Sequence, residues 1–487
     1  MPIRKENAGS AAWYAADAAV SARRMDHDGA VLFQPDGPTE KAINATGLFL
    51  WQRLDGSRDV QTLAQEMVRE FQGAVLEQAQ EDVQSFLGEL SNEGFVQALQ
   101  SPRLKAPGLV ELPEVQEAPK SVDISLTGKC NLHCAYCFYH NEMASRPDLP
   151  KEEWFTFFAE LGRLAVRDVT LSGGEVFMRP DLWELVDGLI ENRLRYSINT
   201  NGTLVTEKTL AELEKGKRRR RLSSIQVSID GSCAEVHDKS RGKGSFERAL
   251  RGLRLLKEAR LPVTVRVTVN RYNVDDLANV ARLLLEDIGL ASFGTNDAMP
   301  MGAGCSNQAT ITLTPQQQFQ AMKSLAALSE TYNGRITALA GPLAKWRMYR
   351  EMEHARATGE KTTRWEMGWL SACGCMFNKL GIHQDGVIVP CDMLSKLELG
   401  RMNEQSFSEI WSEHPLLEAL KSRRNIRMTD VPGCEDCEWT SFCNGGCPGL
   451  AYEMTGDFNR ANPHDCFKSF LKENRLNSLF FSDNGTH

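Results

Sequence analysis

Three cysteines fall within eight positions of KCNLHCAYCFYH, residues 129–140. Cys130, Cys134 and Cys137 are spaced by three residues and then two, so one loop can present all three thiols to a single metal centre. A structural zinc site closes with four ligands, and a fully protein-bound four-iron cluster takes four thiolates. Three leave a coordination position open, which is what a centre that must bind substrate requires. Zinc on the same thiols would draw its fourth ligand from His133 or His140.

A second group is larger. Of thirteen cysteines, eight lie between Cys373 and Cys466, and only Cys233 and Cys305 stand alone. In a reducing compartment, thiols clustered in this way read as metal ligands or catalysts, not as disulfides. The start of the chain lacks a continuous signal-peptide core and no apolar run is long enough to span a bilayer, so the expected setting is cytoplasmic, with no membrane partner. The net charge of −8 gives no general attraction for nucleic acid, so no nucleic-acid partner is expected either.

These thiols need elements to hold them, and 487 residues suggest two to four domains. Residues 1 to about 24 show no period and read as a loose tail. Residues 25–100 alternate short strands (VLF, FVQAL) with amphipathic helices whose apolar faces include Leu63, Met67, Val83 and Leu87, the pattern of a small winged-helix-like module. Residues 101–120, with four prolines, read as a linker. From 121 to 345 six strands each lead into a helix or loop, the pattern of an α/β fold with a parallel sheet curled into a partial (β/α)6 barrel. Loops after such strands share one face, so the Cys130 loop, the SGGE loop (172–175) and the SIDG loop (228–231) should meet in space. KGKRRRR, 215–221, reads as a solvated loop. From 346 to 475 periodicity weakens and cysteines dominate, as if metal replaced a large apolar core.

The Cys-x3-Cys-x2-Cys spacing, with the aromatic Tyr136 before the last cysteine, resembles the signature of the radical S-adenosylmethionine (SAM) enzymes. The resemblance implies a four-iron, four-sulfur (4Fe-4S) cluster whose open iron is chelated by SAM, and cleavage of SAM to a 5′-deoxyadenosyl radical that abstracts a substrate hydrogen. It also implies cofactor-binding roles. Gly173, Gly174 and Glu175 match the motif that holds the SAM amino group, and Arg241 matches the arginine that pairs with its carboxylate. Ser228, and more weakly Asp230 and Asn199, stand where ribose or substrate is contacted. The cysteines from 373 to 466 resemble the SPASM extension of peptide-modifying members, which holds two auxiliary 4Fe-4S clusters. Carried over by position, Cys375, Cys391 and Cys447 belong to the first, with Cys373 available as a fourth ligand, and Cys434, Cys437, Cys443 and Cys466 to the second. Two zinc sites are the rival. Asp392 occupies the place of the general base in sulfatase-maturing relatives, where a neighbouring cluster would raise its proton affinity.

INATGLFLWQRLDG and EDVQSFLGELSNEGFV resemble the PqqD-like domain that binds the leader of a ribosomal precursor peptide as an added strand. TGDFNRANPHDC is similar to the radical enzymes of pyrroloquinoline quinone biosynthesis, which work with such a module. Together the resemblances imply a peptide maturase that installs a carbon–carbon or thioether crosslink, with a precursor peptide as partner and a flavodoxin or ferredoxin as electron donor. A formylglycine-forming maturase, or an iron–sulfur peptide-binding or electron-transfer protein without SAM turnover, are the alternatives.

Overall fold

The computed structural model describes residues 13–25, 29–37, 39–102, 112–139, 145–360, 367–370 and 374–476. The chain divides into two compact units: residues 1–118 with 158–167 and 188–195, and the remainder.

The first unit begins earlier than its sequence suggests. β1 (Trp13–Ala16) and β2 (Ser21–Arg24) are strands, so this part of residues 1–24 is not a tail. Strands of four residues are too short to show a period; long-range pairing defines them, as in Tyr14↔Ala98 and Ser21↔Phe33. β3 (Ala30–Gln34) and β4 (Thr39–Ile43) follow, then α1 (Ala45–Trp51), whose N-cap Asn44 accepts a 2.9 Å hydrogen bond from the Gly47 N–H. β5 (Asp55–Asp59), α2 (Val60–Glu70), α3 (Leu76–Asn92) and β6 (Val96–Leu99) complete the unit. Two antiparallel sheets result, in the orders β5-β1-β6 and β2-β3-β4. Ala79, Val83, Leu87 and Leu90 recur at helical spacing along α3, and that stripe is buried in a core shared with Leu32, Trp51 and Phe95. The outer edge of β4 pairs with no strand among the described residues.

The second unit is built on a ten-stranded sheet. β7 (Ser121–Ser125), β8 (Asp168–Ser172), β9 (Arg195–Thr200), β10 (Leu222–Ser228), β11 (Val263–Val269) and β12 (Phe293–Asp297) lie side by side in chain order. Their parallel pairing is the expected α/β core. Along β8 to β11 the residues alternate: Val169, Leu171, Ile198, Ile225, Val227 and Val267 are buried, whereas Thr170, Asn199, Gln226, Ser228 and Arg266 are partly exposed on the opposite face. β13 (Ile336–Ala338) adds a seventh parallel strand beyond β12. At the other edge β14 (Lys379–Ile382) joins β7 in parallel, and β15 (Val387–Val389) and β16 (Gly400–Arg401) extend it antiparallel. The first segment of the cysteine-rich region is thus part of the same sheet.

Two further expectations are corrected. The run 215–221 is solvated only in part: Lys215, Gly216, Lys217, Arg219 and Arg220 are exposed, whereas Arg218 and Arg221 are buried, and Arg218 pairs with Asp187 at 2.6 Å and Glu212 at 2.6 Å. Asp187 lies 31 positions away, so the run alone gives no sign of it. The cysteine-rich region also has an apolar core of its own, in which Tyr349, Met352, Trp439, Phe467 and Phe470 pack with Cys437 and Cys443. Its aromatic residues are spread over some 120 positions, which hides them from any local period.

His383, between β14 and β15, yields a test of stability. It is 2 % exposed, its ring meets Tyr139 edge-on, and neither ring nitrogen has a hydrogen-bond partner. Burial, helped by the Arg146 charge and opposed by Asp385, lowers its pKa from 6.5 to about 4. The unfolded chain therefore binds the extra proton between these values. Stability is full above pH 6.5 and falls as pH drops toward 4, by on the order of 3 kcal/mol from this residue. His383→Phe should flatten that part of the difference in chemical-denaturation stability between pH 7 and pH 4.5. An unchanged slope would show that His383 does not titrate across folding.

Candidate metal and cofactor site

The cysteine loop follows β7 and is pinned on several sides. Thr127 donates to Asp148 at 2.7 Å, the Ala135 N–H donates to the Ser240 carbonyl at 2.8 Å, and the Ala303 N–H donates to the Cys137 carbonyl at 2.9 Å. The Gly173-Gly174-Glu175 turn lies directly against it. The Gly174 N–H donates to the Thr127 carbonyl and the Glu175 N–H to the Lys129 carbonyl, at 2.7 and 2.8 Å. A Cβ at Gly173, where φ is +136°, would sit 2.4 Å from the Thr127 oxygen, and one at Gly174 would sit 2.2 Å from the Lys129 oxygen. The glycines are thus needed for backbone-to-backbone approach between the two loops. The SIDG segment joins the same site through Asp230. The three loops expected to meet do meet.

Glu175 is 1 % exposed and accepts from Thr200 Oγ1 at 2.7 Å, the Phe177 N–H at 3.2 Å and the Asn201 N–H at 2.8 Å. Burial raises its pKa, and these hydrogen bonds and the Arg241 charge oppose the rise. Asp230, fully buried, has both oxygens committed within the protein. Oδ1 accepts the Thr268 N–H at 2.8 Å, and Oδ2 accepts from Arg241 Nε at 2.5 Å and from the Tyr136 hydroxyl. Asp230 therefore positions Arg241 and Tyr136. Arg241, also buried, uses only Nε in this pair, which leaves the two terminal guanidinium nitrogens without a hydrogen-bond partner among the described residues. Ser228 and Asn199 lie on the partly exposed face of the sheet, and among the described residues their side chains make no hydrogen bond.

The loop thiols share one electrostatic neighbourhood. Cys130, Cys134 and Cys137 are near enough to act electrostatically on one another. Burial pushes the Cys134 thiol up to about 11 against the pull of Arg241, so metal binding must displace a tightly held proton. Among the described residues no three His, Cys, Asp or Glu side chains converge on a point fit for one ion. His133 is exposed, and His140 lies outside the described residues.

Of the C-terminal thiols, Cys434, Cys437, Cys443 and Cys466 form a second mutually interacting group, with Cys443 pushed by burial up to about 12. Lys345, 4 % exposed, holds the Cys466 segment, donating to Asp465 at 3.0 Å and to the His464 carbonyl at 3.0 Å, while His464 meets Asp297 at the end of β12 at 3.1 Å. Cys391 and Cys447 begin segments that touch through Met393 and Gly449. Cys375 lies near Lys379, which also faces Asp392 and ion-pairs with Asp123 at 2.5 Å. Cys373 lies outside the described residues. Asp392 Oδ1 is buried without a partner, and burial, then the Asp123 charge, raises the carboxyl to about 7.

Sequence reasoning missed Asn201, whose amide reaches Cys130, and Asn131, which ties the cysteine loop to it at 2.9 Å. The only signal for Asn201 was its place at the end of β9. Lys345 had none.

Family models match in three places: the radical SAM superfamily over residues 124–284, coenzyme PQQ synthesis protein D (PqqD) over 29–96, and an iron–sulfur cluster-binding (SPASM) domain over 373–438. An AdoMet-dependent heme synthase of Methanosarcina barkeri is 28% identical over 362 residues, 72% of this chain and 97% of that protein. A PqqA peptide cyclase of Ruegeria pomeroyi is 28% identical over 361 residues, 72% of this chain and 89% of that protein. Among solved structures, Streptococcus suis SuiB bound to its precursor peptide SuiA matches with a TM-score of 0.64 at 13% identity, covering 93% of this chain and 100% of SuiB. At that identity the likeness is one of fold. Among the described residues no helix is long and apolar enough to cross a membrane.

Proposed function

From a chain that carries a radical SAM core between a PqqD domain and an iron–sulfur SPASM domain, we propose a peptide maturase that crosslinks a ribosomally made precursor through a carbon–carbon or thioether bond. The domain bounds assigned to it are 25–100, 121–345 and 346–475, joined by 101–120. The observation that carries the peptide reading is the edge of β4 in the PqqD unit, unpaired among the described residues, where an extended leader can add as a strand. Sequence identity does not separate the peptide cyclase from the heme synthase, both at 28%. The PqqD unit favours the peptide.

When bound, a 4Fe-4S cluster and SAM supply the 5′-deoxyadenosyl radical. The chain's own residues hold and orient these groups. Cys130, Cys134 and Cys137 ligate three corners. Arg241, fixed by Asp230 and Tyr136, offers its free terminal nitrogens to the SAM carboxylate, the charge-assisted fork that suits a planar anion. Glu175 keeps acceptor capacity for the ammonium, with Gly173 and Gly174 shaping its turn. Ser228 and Asn199 face the ribose or substrate. Cys375, Cys391 and Cys447 would hold one auxiliary cluster, with Cys373, substrate or an open position at its fourth corner; Cys434, Cys437, Cys443 and Cys466 would hold the other. Asp392 is the proton acceptor, assigned on its buried, unpartnered Oδ1. The setting is the reducing cytoplasm, with a flavodoxin or ferredoxin as donor. A formylglycine-forming maturase is the second reading, favoured by the position of Asp392 alone.

The test uses the peptide encoded by a short reading frame beside the gene. Removing residues 1–102 should weaken peptide binding at least tenfold while leaving SAM cleavage in place, because leader and SAM are held by different units. A proline within the leader's added strand should weaken binding to the intact enzyme in the same way. Undiminished binding by the truncated protein would refute the leader role.

A further inference from the structure

Arg266 stands in the middle of β11, opposite Ser228 of β10 and Gly294 of β12, on the partly exposed face that carries Asn199 and Gln226. Its Nε donates to Gln226 Oε1 at 3.2 Å. Nothing else in the described residues engages it: it has no ion pair, and the two terminal nitrogens donate to no acceptor. Desolvation alone acts on its charge, with no carboxylate near enough to compensate. A half-buried guanidinium without a counter-ion is unfavourable, and such groups are ordinarily paired.

The neighbouring strand leaves room beside this side chain. A Cβ at Gly294 would lie 3.2 Å from Arg266 Nη1 and 3.3 Å from Cζ. Gly294 does not have a positive φ, so the backbone does not require glycine here; a larger residue would crowd the guanidinium and push it aside by a few tenths of an ångström. Two residues on, Asn296 lies on the same face, and its Oδ1 is buried with no partner. The face thus pairs a free, planar donor fork with a free acceptor. A peptide matches both, with a carboxylate for the fork and an N–H for the acceptor. A phosphate would leave the acceptor unmet. The carboxylate of SAM has its own partner in Arg241, whose terminal nitrogens are free.

We propose that Arg266, seated against Gly294, binds a carboxylate of the substrate peptide beside Ser228, with Asn296 Oδ1 accepting an N–H of the same peptide. The carboxylate is either an acidic side chain or a free C-terminus. This rests on the peptide-maturase reading and adds a substrate preference to it.

The test is binding, by calorimetry, of three probes to the reconstituted full-length enzyme with SAM: acetyl-Ala-Glu-Ala-amide, acetyl-Ala-Gln-Ala-amide and acetyl-Ala-Ala-Ala as the free acid. One of the two acidic probes should bind about tenfold more tightly than the glutamine probe. Preference for the glutamate probe identifies a side-chain carboxylate, and preference for the free acid a C-terminus. Arg266→Gln should abolish the preference, Arg266→Lys should retain part of it, and SAM affinity should stay unchanged in both. Gly294→Ala keeps the charge but crowds the fork, so it should weaken the acidic probe too, which covers the case in which Arg266→Gln fails to fold. No preference for either acidic probe, or a loss of SAM affinity instead, would overturn the proposal. Because binding alone is read, the preference can be absent while a precursor is still processed; that result sinks this inference and leaves the maturase reading standing.

Discussion

Alanine at Cys130, Cys134 and Cys137 should remove one iron–sulfur cluster from anaerobically reconstituted protein and abolish SAM cleavage, while the other cluster signals survive. The thiols of this loop act on one another and on Glu175 and Arg241, so the metal corners and the groups assigned to SAM occupy one site. The C-terminal thiols have separate supports in the aromatic core around Trp439 and Phe467 and in the Lys345 contacts, so they should bind metal without the loop. Iron and sulfide analysis, with the visible absorbance, checks the first half. Chromatography of 5′-deoxyadenosine checks the second. Stoichiometric zinc with little iron or sulfide in the unaltered protein would refute the assignment.

What the sequence made legible was local. The cysteine trio, the Gly-Gly-Glu turn and the order of strands β7 to β12 depend on short spacings and on a repeated strand–helix period, and each could be read without knowing its partners. What escaped was set by contacts between distant positions. β1 and β2 exist through pairing with β6 and β3, not through a period of their own. Arg218 is buried against Asp187, 31 positions away. Asp230 stood in the expected motif, yet its work is to position Arg241 and Tyr136, which only the folded arrangement reveals. Arg266 is an unremarked arginine in a strand until Gly294 is found across from it.

Alanine at Cys434 or Cys437 separates two stages of the reaction. The four thiols of that group lie in the C-terminal region, outside the Cys130 loop, and neither Cys434 nor Cys437 touches the network of Asp230, Arg241 and Glu175. Formation of 5′-deoxyadenosine should therefore persist near the level of the unaltered enzyme. Completed peptide should fall at least a hundredfold, because closing a crosslink after loss of one hydrogen atom demands removal of a proton and a further electron. The proton has a candidate acceptor in Asp392, and the ligands for an electron acceptor are these cysteines. Equal loss of SAM cleavage and product would instead show that the thiols serve only to fold the region; a thermal melt of the variant distinguishes that case.

The claim that this protein closes a bond within a peptide is tested most directly by the mass of the peptide itself. Reduced enzyme, SAM and the precursor encoded beside the gene should give 5′-deoxyadenosine and a peptide two hydrogens lighter, with fragmentation blocked between the joined residues. A formylglycine residue, an added methyl group, or an unchanged mass with an inverted stereocentre would contradict the crosslinking account.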